Sequence, residues 1–282
     1  MHIPDGFLST PVWIVLDAAA VPAAGLAVRR AQREFDESHA PLLGVMGAFV
    51  FAAQMINFPV GAGTSAHLLG GALLACTLGP AAAVVVMTAI LAIQALIFQD
   101  GGILALGANL INMALAGVLA GYLPYHLWGR GPHRRAAIFL GGVFSVLASA
   151  VLALAELLLS GVPIPGTALG LSLGLFGVSA VIEGAITMAA VSAIERIRPG
   201  LVRRPGEGRF LLPAALGLAV LLLAAGGVMF ASTSPDGIER LAERAGVTMP
   251  LAGYGGGAGL AGAGLVFALL LLGSRAAKKR SI

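Results

Sequence analysis

The sequence predicts an all-α integral membrane protein, built as a seven-helix unit plus a two-helix C-terminal extension. About nine transmembrane helices are expected, with the N-terminus outside. The 282-residue chain is 58% hydrophobic and 11% charged, whereas soluble proteins carry roughly 25% charged residues. Its apolar runs approach the length of about 20 residues that a membrane-spanning helix needs. Its 40 glycines suit helices that pack closely in lipid.

The apolar runs give the approximate bounds of the helices. We expect them near 10–28, 41–59, 66–79, 80–99, 103–126, 136–160, 168–195, 210–231 and 255–273. The third run is short, and Gly79-Pro80 marks its boundary with the fourth, because this dipeptide favours a turn.

The basic residues predict the orientation, because Lys and Arg favour the cytoplasmic side of a membrane. With nine spans and an external N-terminus, the 17 Lys and Arg residues all fall in cytoplasmic segments apart from Arg240 and Arg244. This distribution explains the pI of about 9.8 without nucleic acid as a partner.

The loops divide the chain into two units. Residues 1–195 form the first unit, and the basic stretch 196–209, "RIRPGLVRRPGEGR", is expected to be a cytoplasmic linker. Residues 210–282 form the two-span extension with an external loop at 232–254. In that loop Asp236 and Glu239 have the spacing of a helix capping box. Pro-Asp-Gly occurs at 4–6 and at 235–237, and both copies are interpreted as turns.

Several classes of function lack support. Cys76 is the single cysteine, which excludes a disulfide framework within the chain. The sequence contains neither a phosphate-binding loop nor an H-E-x-x-H zinc motif, and no Ser-His-Asp arrangement suggests itself. We therefore expect no catalytic residue, no catalytic cofactor and no enzymatic activity in this chain.

The N-terminus has the donors of a metal chelate. No Lys or Arg precedes Arg29, so a secretory leader is not predicted and Met1 is expected to be the mature terminus. The Met1 amine, the His2 backbone nitrogen and His2 Nδ1 can close two fused rings around one cation. A second imidazole would complete a planar set of four nitrogens, which favours Ni²⁺ or Cu²⁺, with Co²⁺ possible. His67 could be that imidazole or could instead bond to backbone at the start of a helix.

Other polar residues are expected at the same end of the bundle. They are Asn57, Thr64, Ser65, Gln99, Asp100, Asn109 and Asn112. Of these, Thr64, Ser65, Asp100, Asn109 and Asn112 are candidates for orienting the imidazoles and the N-terminal amide. The alternative is that each makes interhelical hydrogen bonds alone. For Asp17, Glu156 and Glu183 the sequence leaves open whether they are buried charges or contact a partner.

Four stretches together resemble a known family. "MHIPDGFLS", "GTSAHLLGG" at 63–71 and "DGGILALGANLINMALAG" at 100–117 resemble the CbiM/NikM substrate-specificity subunits (S components) of cobalt/nickel energy-coupling factor (ECF) ABC transporters. The resemblance covers roughly residues 1–200. "SPDGIERLAE" is similar to a PDGLE/NikN-like domain often fused to them. Two positions depart from the usual motifs: Ala66 replaces a glycine and Ile238 a leucine.

The resemblance implies a ligand set, partners and a location. The ligands would be the Met1 amine, the His2 backbone and imidazole nitrogens, and the His67 imidazole. The partners would be a transmembrane coupling (T/Q) subunit and cytoplasmic ATPase (A/O) subunits, in the cytoplasmic (inner) membrane of a prokaryote. Ala19, Ala23 and Ala27 are similar to a small-residue face that docks the coupling subunit, although packing within the chain is the alternative.

The resemblance and the donor chemistry both favour nickel over cobalt as the transported ion. Pro-Asp-Gly at 4–6 is similar to nickel-type subunits, and a planar site with an amide nitrogen suits a d⁸ ion. Two other functions remain open: an ion-coupled secondary transporter or channel for divalent cations, and a membrane metal sensor or assembly factor.

Overall fold

The structure is a computed structural model that describes residues 1–34, 40–61, 63–197, 238, 240–241 and 261–270. Seven helices lie within the described part of residues 1–197: α1 (Thr10–Glu34), α2 (Ala40–Gln54), α3 (Gly71–Leu78), α4 (Pro80–Phe98), α5 (Leu106–Trp128), α6 (Arg134–Leu159) and α7 (Gly166–Ile197). An eighth, α8 (Ala261–Leu270), belongs to the extension. The expected all-helical class is confirmed. The expected helix at 210–231 and the linker beyond residue 197 lie outside the described residues.

Five of these helices are long and apolar enough to cross a membrane, namely α1, α4, α5, α6 and α7. Two of them contain a π-helical segment near one end of the bundle. The last turn of α4, Gln94–Phe98, and the stretch Leu110–Gly117 of α5 are π-helical. Such wider turns are frequent at functional sites, and both lie close to the polar residues described below.

The boundary between α2 and α3 differs from the sequence-based expectation. Helix was expected to continue to residue 59 and to resume at residue 66. Instead β1 (Phe58–Gly61) pairs antiparallel with β2 (Thr64–Ala66), and α3 begins at Gly71. Pro59 lacks an amide hydrogen, and Gly61, Gly63 and Gly70 adopt positive φ angles, so this stretch cannot continue as an α-helix. The expectation that a helix starts near His67 is therefore wrong.

The short helix α3 lies at the centre of the bundle. All eight of its residues are buried, and it contacts α2, α4, α5, α6 and α7. In contrast, α1 lies at the periphery against α4 and α5. Its Ala19 is exposed, whereas Ala23 and Ala27 are half-buried, and Ala27 packs against the central core cluster.

The described residues of the extension contact the seven-helix unit in two places. Gly44 and Gly47 of α2 lie against Phe267 and Leu270 of α8, so close that a Cβ at Gly47 would be 2.7 Å from Leu270 Cδ1. At the end of the bundle that holds the N-terminus, Ile238 and Leu241 are buried in the cluster that contains Ile3. Arg240 Nη2 donates to Gly63 O at 2.7 Å. Asp236, Glu239 and the rest of the 232–254 loop lie outside the described residues.

The backbones of α6 and α7 approach each other closely, which fixes the position of α7 along α6. A Cβ at Gly142 would lie 2.6 Å from Gly184 Cα and 2.9 Å from the carbonyl carbon of Glu183. Because these are backbone atoms, they cannot yield as a side-chain terminus can. The two helices can cross at this distance because both positions are glycine.

We predict that Gly142→Ala destabilises the protein by about 1–3 kcal/mol through overpacking. The matched control is Gly174→Ala on α7, where an added Cβ meets no atom within 4 Å. Thermal unfolding in detergent compares the two variants, and equal melting temperatures would show that α6 and α7 do not cross closely at Gly142.

Candidate metal site

The structure brings the N-terminus and the two expected histidines together. The Met1 nitrogen lies 2.8 Å from His67 Nε2. The rings of His2 and His67 stack with centroids 5.3 Å apart and an angle of 10° between their planes. Three groups that are up to 66 positions apart in sequence therefore converge at one end of the bundle.

The separation of Met1 N and His67 Nε2 fits two neighbouring ligands of one metal ion. Nitrogen ligands bind first-row metals at about 2.0 Å. Two such ligands at right angles lie about 2.8 Å apart, which is the distance that separates these two atoms. A cation shared by the two atoms would take the place of the hydrogen between them, so protons would leave and the Nε2 lone pair would turn from Met1 towards the cation.

A hydrogen bond to backbone orients the His67 ring. His67 Nδ1 lies 2.9 Å from Leu68 O. A carbonyl oxygen can only accept, so Nδ1 carries the proton and Nε2 of the neutral ring presents its lone pair towards Met1. Metal-binding histidines are commonly fixed in this way through the nitrogen that does not bind the metal.

His2 is buried without full compensation of its polar atoms. It is 6% exposed, and within the described part of the chain neither ring nitrogen makes a hydrogen bond of acceptable geometry. Its Nδ1 does lie 3.0 Å from Asp100 Oδ1, but the contact is not directed as a hydrogen bond. Buried polar groups are nearly always paired, so the ring nitrogens of His2 have bonding capacity left for a further partner.

The backbone of Ile3 holds the N-terminal segment in the bundle. Ile3 N donates to Asn109 Oδ1 at 2.8 Å, and Asn109 Nδ2 donates back to Ile3 O at 2.9 Å. Gly102 N donates to the same Ile3 O at 2.9 Å. Ile3 itself is fully buried. These bonds fix the residue that follows the expected chelate, which limits where Met1 and His2 can lie.

The turn after Ile3 is confirmed, and Asp5 has a role that the sequence did not reveal. Gly6 has a φ of 90°, which favours glycine. The Asp5 carboxylate accepts amide hydrogens from Ile103, Leu104 and Ala105 at 2.8–3.3 Å. These amides precede α5 and have no partner within the helix itself, and a negative charge is favourable at a helix N-terminus. The turn thereby attaches the N-terminal segment to α5.

A second carboxylate, from α1, also bonds to backbone at the start of α5. Asp17 of α1 accepts a hydrogen bond from Gly107 N at 2.6 Å. A Cβ at Gly107 would also lie 2.4 Å from Asp17 Cα, so α1 and α5 approach closely here. One of the three in-span acidic residues left open by the sequence is thus engaged inside the chain.

The segment that carries His67 is held from three helices. Gln54 Nε2 of α2 donates to Leu69 O at 2.7 Å, and Gln94 Nε2 of α4 donates to Gln54 Oε1 at 2.8 Å. From α7, Glu183 accepts from both Leu69 N and Gly70 N at 2.8 Å. Sequence reasoning did not single out Gln54 or Gln94. Each is an amide side chain in an otherwise apolar helix, and this pattern could have indicated a buried hydrogen bond.

A small recess leads to the site between the β1–β2 hairpin and α7. Its walls include Met1 and His67, the hairpin residues Thr64 and Ser65, and Phe176 of α7. Both hairpin residues are buried. The recess therefore borders both the N-terminal residue and the His67 side chain.

The remaining expected residues have different positions. Asn112 lies deeper and donates to Glu156 Oε2 at 2.7 Å. Gln99 is exposed and Asn57 half-buried, and His126 and His133 are exposed near the opposite end of α5. His39 lies outside the described residues. Within the described ranges, no group of three or more His, Cys, Asp or Glu side chains has the arrangement of a metal site.

Comparison with known proteins gives a family match over most of the chain. Residues 2–201 match the family described as "Cobalt uptake substrate-specific transmembrane region". The fused nickel transport protein NikMN of Rhodobacter capsulatus is 33% identical over 291 aligned positions, which cover 91% of this chain and 84% of that protein. The cobalt transport protein CbiM of Sorangium cellulosum is 33% identical, covering 72% of this chain and 95% of that protein.

A solved structure supports the same assignment. The crystal structure of a truncated transition metal transporter aligns with a TM-score of 0.62 and 36% identity, covering 70% of this chain and 99% of that one. The relatives are metal transport proteins, and the apolar helices identify a multi-pass membrane protein. The chain therefore belongs to the CbiM family of cobalt and nickel transport proteins, with a fused NikN-like part.

Proposed function

We propose that this chain is the substrate-binding membrane subunit of an ECF-type ABC transporter, and that it captures Ni²⁺, with Co²⁺ second, for ATP-driven uptake. The observation that carries the proposal is the 2.8 Å separation of the Met1 nitrogen and His67 Nε2 beside a buried His2 imidazole. The proposal places the site on the outer face of a prokaryotic cytoplasmic membrane, in accordance with the Lys/Arg distribution.

The proposed ligands are the Met1 amine, the His2 backbone nitrogen, His2 Nδ1 and His67 Nε2. The first three are nitrogens of the neighbouring residues Met1 and His2. Together with the cation they close a five-membered and a six-membered chelate ring. For His2 Nδ1 to bind, the cation replaces the Asp100 contact at 3.0 Å. The amine and the amide must lose protons, so binding weakens as the pH falls.

Nickel is preferred in this proposal because of ligand geometry. Four nitrogens in one plane, one of them an ionised amide, favour a d⁸ ion that is stable without axial ligands. Relatives named for nickel and for cobalt are both similar to this chain.

The alternative of an ion-coupled transporter or channel has less support. Such a protein needs acidic residues along one path through the membrane. Asp17, Glu156 and Glu183 instead bond to Gly107, to Asn112 and to the Leu69–Gly70 segment, respectively. Transport energy is proposed to come from separate ATPase subunits through a coupling subunit. The proposed docking surface is the Ala19–Ala23–Ala27 face of α1, which is exposed at Ala19 and half-buried at Ala23 and Ala27.

We predict that one residue added before Met1 abolishes the chelate, because the amine moves while every side chain stays. Ni²⁺ affinity should fall at least 100-fold, measured by calorimetry on protein whose terminus is verified by mass spectrometry. The matched control adds one residue after Ile282. Unchanged affinity of the N-terminally extended protein would contradict the proposed ligands.

We predict that Asn109→Ala lowers Ni²⁺ affinity by about 10-fold or more, because losing bonds to a buried backbone costs about 1–3 kcal/mol. Thr77→Ala is the control, since the Thr77 hydroxyl bonds only to the carbonyls of Leu73 and Leu74 within α3 among the described residues. If the two variants bind Ni²⁺ equally, Asn109 does not seat the terminus.

We predict that the chain alone binds Ni²⁺ without accumulating it in vesicles, and that uptake requires its coupling and ATPase partners with internal ATP. Uptake of radioactive ⁶³Ni by the chain alone would favour the ion-coupled transporter. Binding without uptake in the presence of the partners and ATP would favour a sensor or assembly factor.

A further inference from the structure

The segment that carries His67 is non-helical backbone inside an apolar bundle. Leu68, Leu69 and Gly70 are buried between β2 and α3. Backbone amides in such surroundings need acceptors from the protein, because lipid supplies none. Glu183, which is 1% exposed, supplies one oxygen to Leu69 N and the other to Gly70 N, each at 2.8 Å.

One peptide group connects Glu183 to the His67 ring. The carbonyl of Leu68 and the amide of Leu69 belong to the same rigid, planar peptide unit. Its N–H donates to Glu183 Oε2, and its carbonyl accepts from His67 Nδ1 at 2.9 Å. The orientation of that plane therefore sets the orientation of the imidazole, and hydrogen bonds arranged in series polarise one another.

The carboxylate is itself held in place from two sides. Its neighbour Gly184 lies at the close crossing of α6 and α7, where Gly142 permits backbone contact. On the other side Gly70, with a φ of 79°, directs its amide towards Glu183 and lies against Val50. Glu183 thus has little freedom to follow a change in the position of the loop.

We propose that Glu183 is a positioning residue that aims His67 Nε2 at the metal through the Leu68–Leu69 peptide. This inference rests on the proposed metal site. Glu183 does not bind the cation in this account. It fixes the imidazole orientation and its proton on Nδ1, so that metal binding needs no rearrangement of the loop.

The variant Glu183→Gln keeps the volume of the side chain and removes one of its two hydrogen-bond acceptors. Two amide hydrogens face the two side-chain oxygens, and a carboxamide has one oxygen and one NH₂ group. One donor would then oppose another and turn the peptide plane. Loss of a residue that supports a metal ligand typically lowers affinity 10–100-fold, and we expect a loss in that range for Ni²⁺.

The matched control is Glu156→Gln. Glu156 is also a buried carboxylate, on α6, but it bonds to Asn112 and not to the His67 segment. We expect it to change Ni²⁺ affinity less than twofold. A loss equal to that of Glu183→Gln would overturn the proposal, because any buried carboxylate would then have the same effect.

The test is a double-mutant cycle with His67→Ala, read by Ni²⁺ calorimetry and by the d–d absorption of the bound ion. We expect Glu183→Gln to move the absorption towards that of His67→Ala, and to cause no further loss of affinity when His67 is absent. A full, additive loss in the His67→Ala background would mean that Glu183 acts on the fold, and wild-type affinity in Glu183→Gln would also overturn the proposal.

Two further outcomes keep the test decisive. If His67→Ala binds like the wild type, the proposed metal site fails, independently of Glu183. If Glu183→Gln does not fold, the cycle is repeated with Glu183→Asp, which keeps two acceptor oxygens but withdraws them by one methylene. A loss that again disappears in the His67→Ala background supports the proposal, and an additive one overturns it.

Discussion

The arrangement depends on one constraint: two non-helical stretches of backbone must be satisfied inside an apolar bundle. The N-terminal segment meets it through Asn109 and Gly102, which bond to Ile3. The segment before α3 meets it through Gln54 and Glu183, which bond to Leu69 and Gly70. Because both segments are anchored to the same end of the bundle, Met1 and His67 meet, and the site is set by backbone partners more than by side-chain ligands.

Some polar residues of the bundle hold the backbone or the side chains on which other polar residues depend. Asp5 and Asp17 satisfy the amides at the start of α5, and α5 in turn carries Asn109. Gln94 supports Gln54, which supports the loop. These contacts position the backbone on which the proposed nitrogen ligands lie. A metal-binding site with so few charged side chains is thereby compatible with a mean hydropathy of +0.95.

The sequence predicted those features that follow from composition and local chemistry. Hydropathy identified the five described helices that are long and apolar enough to cross a membrane. Gly79-Pro80 marked the start of α4, and Pro4-Asp5-Gly6 the turn that returns the terminus to the bundle. Two kinds of feature escaped it. The β1–β2 pairing across 58–66 was expected as a connection between two helix ends, because it depends on glycine φ angles that hydropathy does not report. The partners of Glu183 lie 113 and 114 positions away, a contact that only the tertiary structure reveals.

X-ray absorption at the nickel edge of the loaded protein tests the central claim most directly. A planar site built from the Met1 amine, the His2 amide and two imidazoles predicts four nitrogen neighbours at about 2.0 Å. It also predicts the edge feature of a square-planar ion and outer-shell scattering from two rings. Six oxygen or nitrogen neighbours in octahedral geometry, or scattering from fewer than two imidazoles, would contradict capture of the ion by the N-terminus together with His67.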